Sequence, residues 1–178
     1  MAKERTVFYS SLSGIIGGLI DYYFNIPIAP ILFGLGILLA NHSQIKLKTK
    51  LTAYFLAGIF AMIIFLFGGP LMSWIGLLLT SFISEALCIY IGSGLCALAI
   101  ALVFSELLKN FKSSIYKTII LFSLGGLSVL FFFVIQGLPI DRLYTGIRID
   151  EHFYLLFFLW QVLVGFGIAL HVENETST

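Results

Sequence analysis

Three polar side chains lie inside long apolar stretches of the sequence: Asp21, Glu85 and Gln161. A carboxylate inside a membrane span costs on the order of a few kcal/mol, so such a residue marks a candidate site for an ion, a proton or a ligand. Asp21 and Glu85 have the chemistry to bind a cation or a proton, and Gln161 has the chemistry to contact a solute. These residues are therefore the predicted candidates for a substrate or ion pathway.

Each candidate also has a structural explanation. Asp21 precedes Tyr22 and Tyr23, and tyrosines are common where a helix leaves the bilayer, so Asp21 can be an interfacial carboxylate. Glu85 can lie at the start of a helix as part of its cap. Gln161 can bond to a neighbouring helix, an interaction worth about 1 kcal/mol in a membrane. The sequence leaves both interpretations open for each residue.

Small residues recur at helical spacing in two stretches. Ser10, Gly14 and Gly18 are four residues apart, and this spacing lets the backbones of two membrane helices approach closely. Around Glu85, small residues again lie three or four apart, which places them on one side of a helix. The predicted helix-packing faces consist of Ser10, Gly14, Gly18, Ser81, Cys88 and Gly92.

The sequence gives little support for catalysis or for metal binding. His42, His152 and His171 are isolated and share no ligand spacing. Ser128 lies within one predicted span and His171 at the end of another, so we do not expect them to form a nucleophile and base. We predict no catalytic residue, no metal and no cofactor, and a membrane-embedded enzyme is the least favoured class.

Composition indicates the class of protein that must position these residues. The chain is 60% hydrophobic and 11% charged, against roughly 45–50% and 25% in soluble domains, and its mean hydropathy is +1.05. We predict an all-α, polytopic transmembrane helix bundle that forms one domain over residues 1–178. The net charge of +1 is too small to favour nucleic-acid binding. The lipid bilayer is the predicted environment.

The positions of the basic residues predict the topology. Cytoplasmic loops of membrane proteins carry an excess of Lys and Arg. Six spans with both termini inside place eight of the ten basic residues in the cytoplasm: Lys3, Arg5, Lys46, Lys48, Lys50, Lys109, Lys112 and Lys117. The predicted location is a bacterial inner membrane, with the N-terminus in the cytoplasm.

The run Leu71–Leu108 is too long for one span, and its division is open. Gly68–Pro70 is predicted as the turn that precedes it. In one division, residues 71–84 form an interfacial or re-entrant helix and residues 86–108 form one crossing, which gives six spans. In the other, Gly92–Gly94 is a turn between two crossings, which gives seven. The distribution of basic residues favours six. Pro27–Asn41 is also short for a crossing, and it is predicted to be thin or partly re-entrant.

The loop 137–152 is the most polar segment, and on the six-span topology it faces outward. It is predicted to be either a solvated loop or a docking surface. The candidate docking residues are Asp141, Arg142, Tyr144 and Arg148.

The segment Ile26–Ile31, followed by Leu38–Ala40, is similar to the first hairpin of the substrate-binding membrane subunits of vitamin importers. The similarity covers this hairpin alone, and it implies a six-spanning transport component. We therefore expect a non-catalytic component of a membrane transport or multi-subunit assembly, which docks a membrane-protein partner or a second copy through its small-residue faces. The alternative is a self-contained small-solute or ion carrier that uses Asp21 or Glu85.

Overall fold

The computed structural model describes residues 2–24, 27–79, 85–136 and 153–173. Within these ranges the chain forms six α-helices and one short 3-10 turn, His42–Gln44. The helices are α1 (Ala2–Phe24), α2 (Ala29–Ala40), α3 (Lys50–Leu79), α4 (Glu85–Leu107), α5 (Ile115–Gln136) and α6 (Phe153–His171). The predicted all-α class is confirmed.

The six helices form a closed ring. Each helix packs against the next one along the chain, and α6 packs against α1 to complete the circle, while α2 also touches α6. Because every connection joins neighbours, α1, α3 and α5 begin at the same end of the ring. All eight basic residues in the described ranges lie at or next to this end, which we call the basic end.

Among the described residues, two helical stretches are long and apolar enough to cross a bilayer by length and composition: Lys50–Gly68 and Leu87–Leu107. Three further apolar stretches are shorter: Ala29–Ala40, Ile115–Phe131 and Phe158–His171. The 12 residues of α2 extend about 18 Å, well below the roughly 30 Å of a hydrocarbon core. The helix α3, with 30 residues, extends about 45 Å.

The structure corrects the predicted turn at Gly68–Pro70. The helix α3 continues through these residues to Leu79, so the prediction of a turn was wrong, and residues 71–79 extend α3 instead of starting a separate interfacial helix. A continuous helix satisfies the backbone N–H and C=O groups of this apolar stretch internally, and this gain outweighs the helix-breaking tendency of glycine and proline.

The long apolar run divides between Leu79 and Glu85, where residues 80–84 lie outside the described ranges. The turn at Gly92–Gly94, on which the seven-span alternative rested, was wrong, because these residues lie in the interior of α4. The break between Leu79 and Glu85 lies where the six-span alternative placed its division, whereas the number of helices that cross a membrane stays a prediction. Glycine pairs are compatible with a membrane helix when they let a neighbour pack closely, and Gly94 does so with α5: a Cβ there would lie 2.8 Å from the backbone oxygen of Phe122.

The outer surface of the ring is rich in large apolar side chains. On α1, Phe8, Ile15 and Leu19 are exposed, whereas Ser10 and Gly14 are buried toward the other helices. On α1 the large apolar side chains therefore face outward and the small residues face the neighbouring helices.

Candidate functional site

The position of α1 is fixed by two faces made of small residues. One face meets α6: Gly14 lies against Gln161, and Ser10 lies against Gly165. On the other face, a Cβ at Gly17 would lie 2.5 Å from the Cα of Ala29 in α2. Such close approach is possible only for residues without bulky side chains.

This packing changes the expectation for the α1 residues. Ser10, Gly14 and Gly18 are buried within the chain itself. Ser10 and Gly14 contact α6 of the same chain, so these small residues pack within the chain, and docking of a separate partner on this face stays a prediction.

The face of α4 that contains Cys88 and Gly92 is also buried. Cys96, four residues beyond Gly92, contacts α3, where a Cβ at Gly68 would lie 2.5 Å from the Cys96 sulfur. The spacing therefore directs this face of α4 toward α3. Glu85 is the first residue of α4, and its side chain lies outside the described part of the structure, as does Ser81.

Asp21 joins the end of α1 to the start of α2. One carboxylate oxygen, Oδ1, accepts hydrogen bonds from the backbone N–H groups of Ile28 (2.7 Å) and Ala29 (3.3 Å). These donors would otherwise be unsatisfied at a helix N-terminus, and the negative charge favours this position. The other oxygen, Oδ2, is buried and has no hydrogen-bond partner among the described residues. Oδ1 therefore has a structural role, and Oδ2 is an acceptor without a partner among the described residues.

Trp160 of α6 crosses the interior of the ring. Its indole Nε1 donates a hydrogen bond of 3.0 Å to the hydroxyl of Ser93 in α4, and its ring lies 5.9 Å from that of Phe33 in α2. The indole thus bridges three helices that are not neighbours in sequence. It remains partly exposed.

Two serines fix this part of the ring through one carbonyl group. The Ser93 hydroxyl donates to the backbone oxygen of Gly125 in α5 (2.6 Å), and so does the hydroxyl of Ser128 (2.6 Å). Gln161, the residue after Trp160, is 1% exposed, and its Oε1 has no hydrogen-bond partner among the described residues. We call these residues the inner polar layer: Ser93, Gly125, Ser128, Trp160 and Gln161.

Between the inner polar layer and the basic end, the ring is filled by apolar side chains. Large members of this cluster come from four helices and are almost fully buried: Phe33, Ile37, Phe104, Leu121 and Ile168. Trp160 packs against this cluster. The cluster therefore forms a floor beneath the indole on the side of the basic end.

Below this floor, hydrogen bonds tie together the loops of the basic end. The Asn41 amide nitrogen donates to Thr6 Oγ1 (2.9 Å) and to the carbonyl of Ile37 (3.0 Å). The Asn110 amide nitrogen donates to the backbone oxygen of Glu173 (3.0 Å) and more weakly to Asn41 Oδ1 (3.5 Å). We call Thr6, Asn41, Asn110 and Glu173 the polar clasp.

Backbone pairing reinforces the polar clasp. The N–H of Lys46 donates to the carbonyl of Leu107, and the N–H of Lys109 donates to the carbonyl of Gln44. The N–H of Lys112 donates to the carbonyl of His171 in the same way. The two loops and the end of α6 are thereby held together, and the basic end is closed.

The arrangement offers little for catalysis. Ser128 is bonded within α5, whereas His171 lies at the basic end, where its Nδ1 contacts the carbonyl of Gly167 and its ring stacks on Phe111. No group of three or more His, Cys, Asp or Glu side chains comes together among the described residues. The predicted docking residues Asp141, Arg142, Tyr144 and Arg148 lie outside the described ranges.

Sequence reasoning missed the two most informative groups. Trp160 was overlooked beside Gln161, although a tryptophan well inside a span, away from the interface, is a signal of its own. The polar clasp gave no pattern in the sequence, because its members are distant along the chain. No protein-family model, no curated protein and no solved structure matches this chain.

Proposed function

We propose that this chain is a six-span membrane protein that acts as a non-catalytic component of a transport assembly and binds a small solute in its ring. The observation that carries the proposal is the position of Trp160, which crosses the interior, remains partly exposed and lies above a closed apolar floor. Such an interior accepts a molecule from the side opposite the basic end.

The chemistry of the described floor indicates the class of solute. Trp160 and Phe33 offer flat aromatic faces, and Ser93 is a neutral hydroxyl. Ligand sites of this kind are mostly apolar with a few fixed polar groups. A small, uncharged solute with a flat apolar face fits this lining best.

The closed basic end favours a component over a self-contained carrier. Passage through the ring requires that the apolar floor and the polar clasp both open. A carrier has to do this alone, whereas a component can rely on a partner that binds the basic end. Membrane placement is supported by the apolar outer surface and by the gathering of the basic residues at one end.

Fluorescence quenching tests whether the ring interior admits solute. The chain has two tryptophans, so the Trp74→Phe variant leaves Trp160 as the only indole. In proteoliposomes, we expect iodide added on the side opposite the basic end to quench Trp160.

A control variant places the single tryptophan on the outer surface. Phe131 of α5 is 52% exposed, so the control combines Phe131→Trp with Trp74→Phe and Trp160→Phe. This control should be quenched by brominated lipid and only weakly by iodide. Equal iodide quenching of both variants would refute the proposed site.

A second candidate function, an ion or proton carrier, rests on Asp21. Its Oδ2 is buried without a partner among the described residues and is therefore able to accept a proton or a cation. Asp21→Asn keeps one carbonyl acceptor for the N–H groups of Ile28 and Ala29 but removes the charge. If wild type carries a proton or cation flux and the folded Asp21→Asn protein has lost it, the carrier is favoured. If wild type shows no measurable flux and iodide quenches Trp160 equally in wild type and in the variant, the component is favoured.

A further inference from the structure

The loops of the basic end bring four lysines together on one side. The hydrogen bonds Lys46 N–Leu107 O and Lys109 N–Gln44 O hold the first loop beside the end of α4. We call Lys46, Lys48, Lys50 and Lys109 the lysine patch; all four are exposed. Lys46 is anchored through its Nζ to the carbonyl of Ser105.

The lysine patch has little compensating negative charge. The ion pair between Lys112 and Glu173 lies outside the patch. Glu106, exposed in the last turn of α4, is the nearest carboxylate in sequence and makes no ion pair with the patch in the described ranges. Four cations and one carboxylate leave a local excess of positive charge that attracts an anion.

The other basic residues of this end have a different setting. Lys112 contacts the Glu173 carboxylate at 2.7 Å, and the charges of Lys117 and Lys3 also act on that carboxylate, lowering its pKa. An anionic ligand on that side would have to compete with Glu173. The lysine patch has no such competitor among the described residues.

Exposed apolar surface continues directly from the lysine patch. Leu51 and Phe55, in the first turns of α3 after Lys50, are 77% and 66% exposed. Leu102 is 69% exposed and lies three residues before Ser105, whose carbonyl accepts the hydrogen bond from Lys46. Because α3 packs against α4, a cationic surface and two strips of apolar surface meet at one place.

We propose that the lysine patch binds the headgroup of an anionic phospholipid, whose acyl chains lie along Leu51, Phe55 and Leu102. The phosphate fits the lysine cluster, and the chains fit the apolar strips, so the two surfaces together select a lipid over a soluble anion or an acidic protein segment. This inference rests on the membrane placement in the proposed function and does not depend on the solute site at Trp160.

Native mass spectrometry of the full chain in detergent tests the lipid site. Two probes are titrated, dioleoyl phosphatidylglycerol and dioleoyl phosphatidylcholine. A lysine near an anionic membrane surface contributes about fivefold to binding, so we expect the first phosphatidylglycerol to bind at least about tenfold more tightly than phosphatidylcholine. The triple variant Lys48→Gln, Lys50→Gln and Lys109→Gln should bring this ratio to about twofold or less.

A matched variant removes the same charge elsewhere on the basic end. Lys3→Gln, Arg5→Gln and Lys117→Gln should leave the preference for phosphatidylglycerol within about twofold of wild type, because the lysine patch is intact. Equal loss in both triple variants would show a general effect of net charge and overturn the proposal. So would equal binding of the two lipids by wild type.

Two further probes separate the sources of negative charge. Glycerol phosphate carries the headgroup chemistry without acyl chains and should not displace bound phosphatidylglycerol. A heptaglutamate peptide should also fail to displace it. Displacement by glycerol phosphate would identify a soluble anion site, and displacement by the peptide would identify a docking site for an acidic protein; either result overturns the lipid assignment. In either case, iodide quenching of Trp160 would still support the proposed solute site, because the two experiments test different parts of the protein.

Discussion

The polar clasp and the inner polar layer are two groups of polar side chains at different places in the ring: the clasp joins loops and helix ends at the basic end, and the inner layer joins α4, α5 and α6 around Trp160. In the clasp, Asn41 bonds to three elements of the chain and Thr6 also donates to the carbonyl of Ala2. In the inner layer, Trp160 is bonded and partly exposed, and Gln161 keeps an unpartnered oxygen. A network that uses its donors and acceptors stabilises a structure, whereas an unpartnered group has to be explained. Each group keeps one buried oxygen without a partner among the described residues, Asn110 Oδ1 in the clasp and Gln161 Oε1 in the inner layer. The number of hydrogen bonds between separate elements is larger in the clasp, and variants at Asn41 and Gln161 test whether the two groups differ in their contribution to stability.

The largest expected effect comes from the packing that holds both groups in place. Gly17→Leu puts side-chain atoms where the backbone of Ala29 lies, so α1 and α2 cannot approach. We expect a loss of at least about 3 kcal/mol in the free energy of unfolding, measured by titration with SDS in mixed micelles. Ile16→Leu, one residue away at an exposed position, is the control and should change little.

Removing a member of the polar clasp should have the next largest effect. Asn41→Ala removes one hydrogen-bond partner from Thr6 and one from Asn110, at a position where the side chain is only 1% exposed. We expect a loss of about 1–3 kcal/mol in the free energy of unfolding. His42→Ala, which removes the hydrogen bond between an exposed imidazole and the hydroxyl of Tyr54, should cost about 0.5 kcal/mol or less. Similar losses in the two variants would remove the argument for a structural clasp.

Gln161→Met tests the inner layer in the same way, because methionine is similar in size to glutamine and has no amide group. The Oε1 atom has no described partner, so we expect the free energy of unfolding to change by no more than about 1 kcal/mol in either direction. The same SDS titration measures this change. A loss of the size expected for Asn41→Ala would mean that Gln161 is as structural as the clasp.

The smallest expected effect concerns the exposed edge of the clasp. The hydrogen bond from Lys112 lowers the pKa of Glu173. A carboxylate whose pKa is lower in the folded state stabilises the fold above its unfolded pKa, and this contribution is lost as the pH falls through the folded pKa. Because Lys112 and Glu173 are 67% and 44% exposed, the change should be small.

A pH series checks this expectation. The unfolding temperature of wild type should approach that of Glu173→Gln as the pH falls from 7 into the acidic range. A wild type that stays more stable than the variant at the acidic end would contradict the assignment of the stabilisation to the Glu173 charge.

The sequence was sufficient to predict the all-α class and most helix positions. Long apolar runs separated by lysine loops can form little else than helices in a bilayer, because the backbone must satisfy its own hydrogen bonds there. The spacing of Ser10, Gly14 and Gly18 also indicated a close helix contact, although not which helix supplies it. The break at Gly68–Pro70 was misjudged, since glycine and proline signal turns in water but are tolerated in membrane helices.

The tertiary structure alone decided how the polar groups are used. Asp21 caps α2 because the chain folds back to bring Ile28 and Ala29 to its carboxylate. Trp160 meets Ser93, 67 residues away along the chain, and Asn41 meets Asn110, 69 residues away. These contacts depend on ring closure through the α1–α6 interface, and periodicity within one helix carries no information about a partner on another.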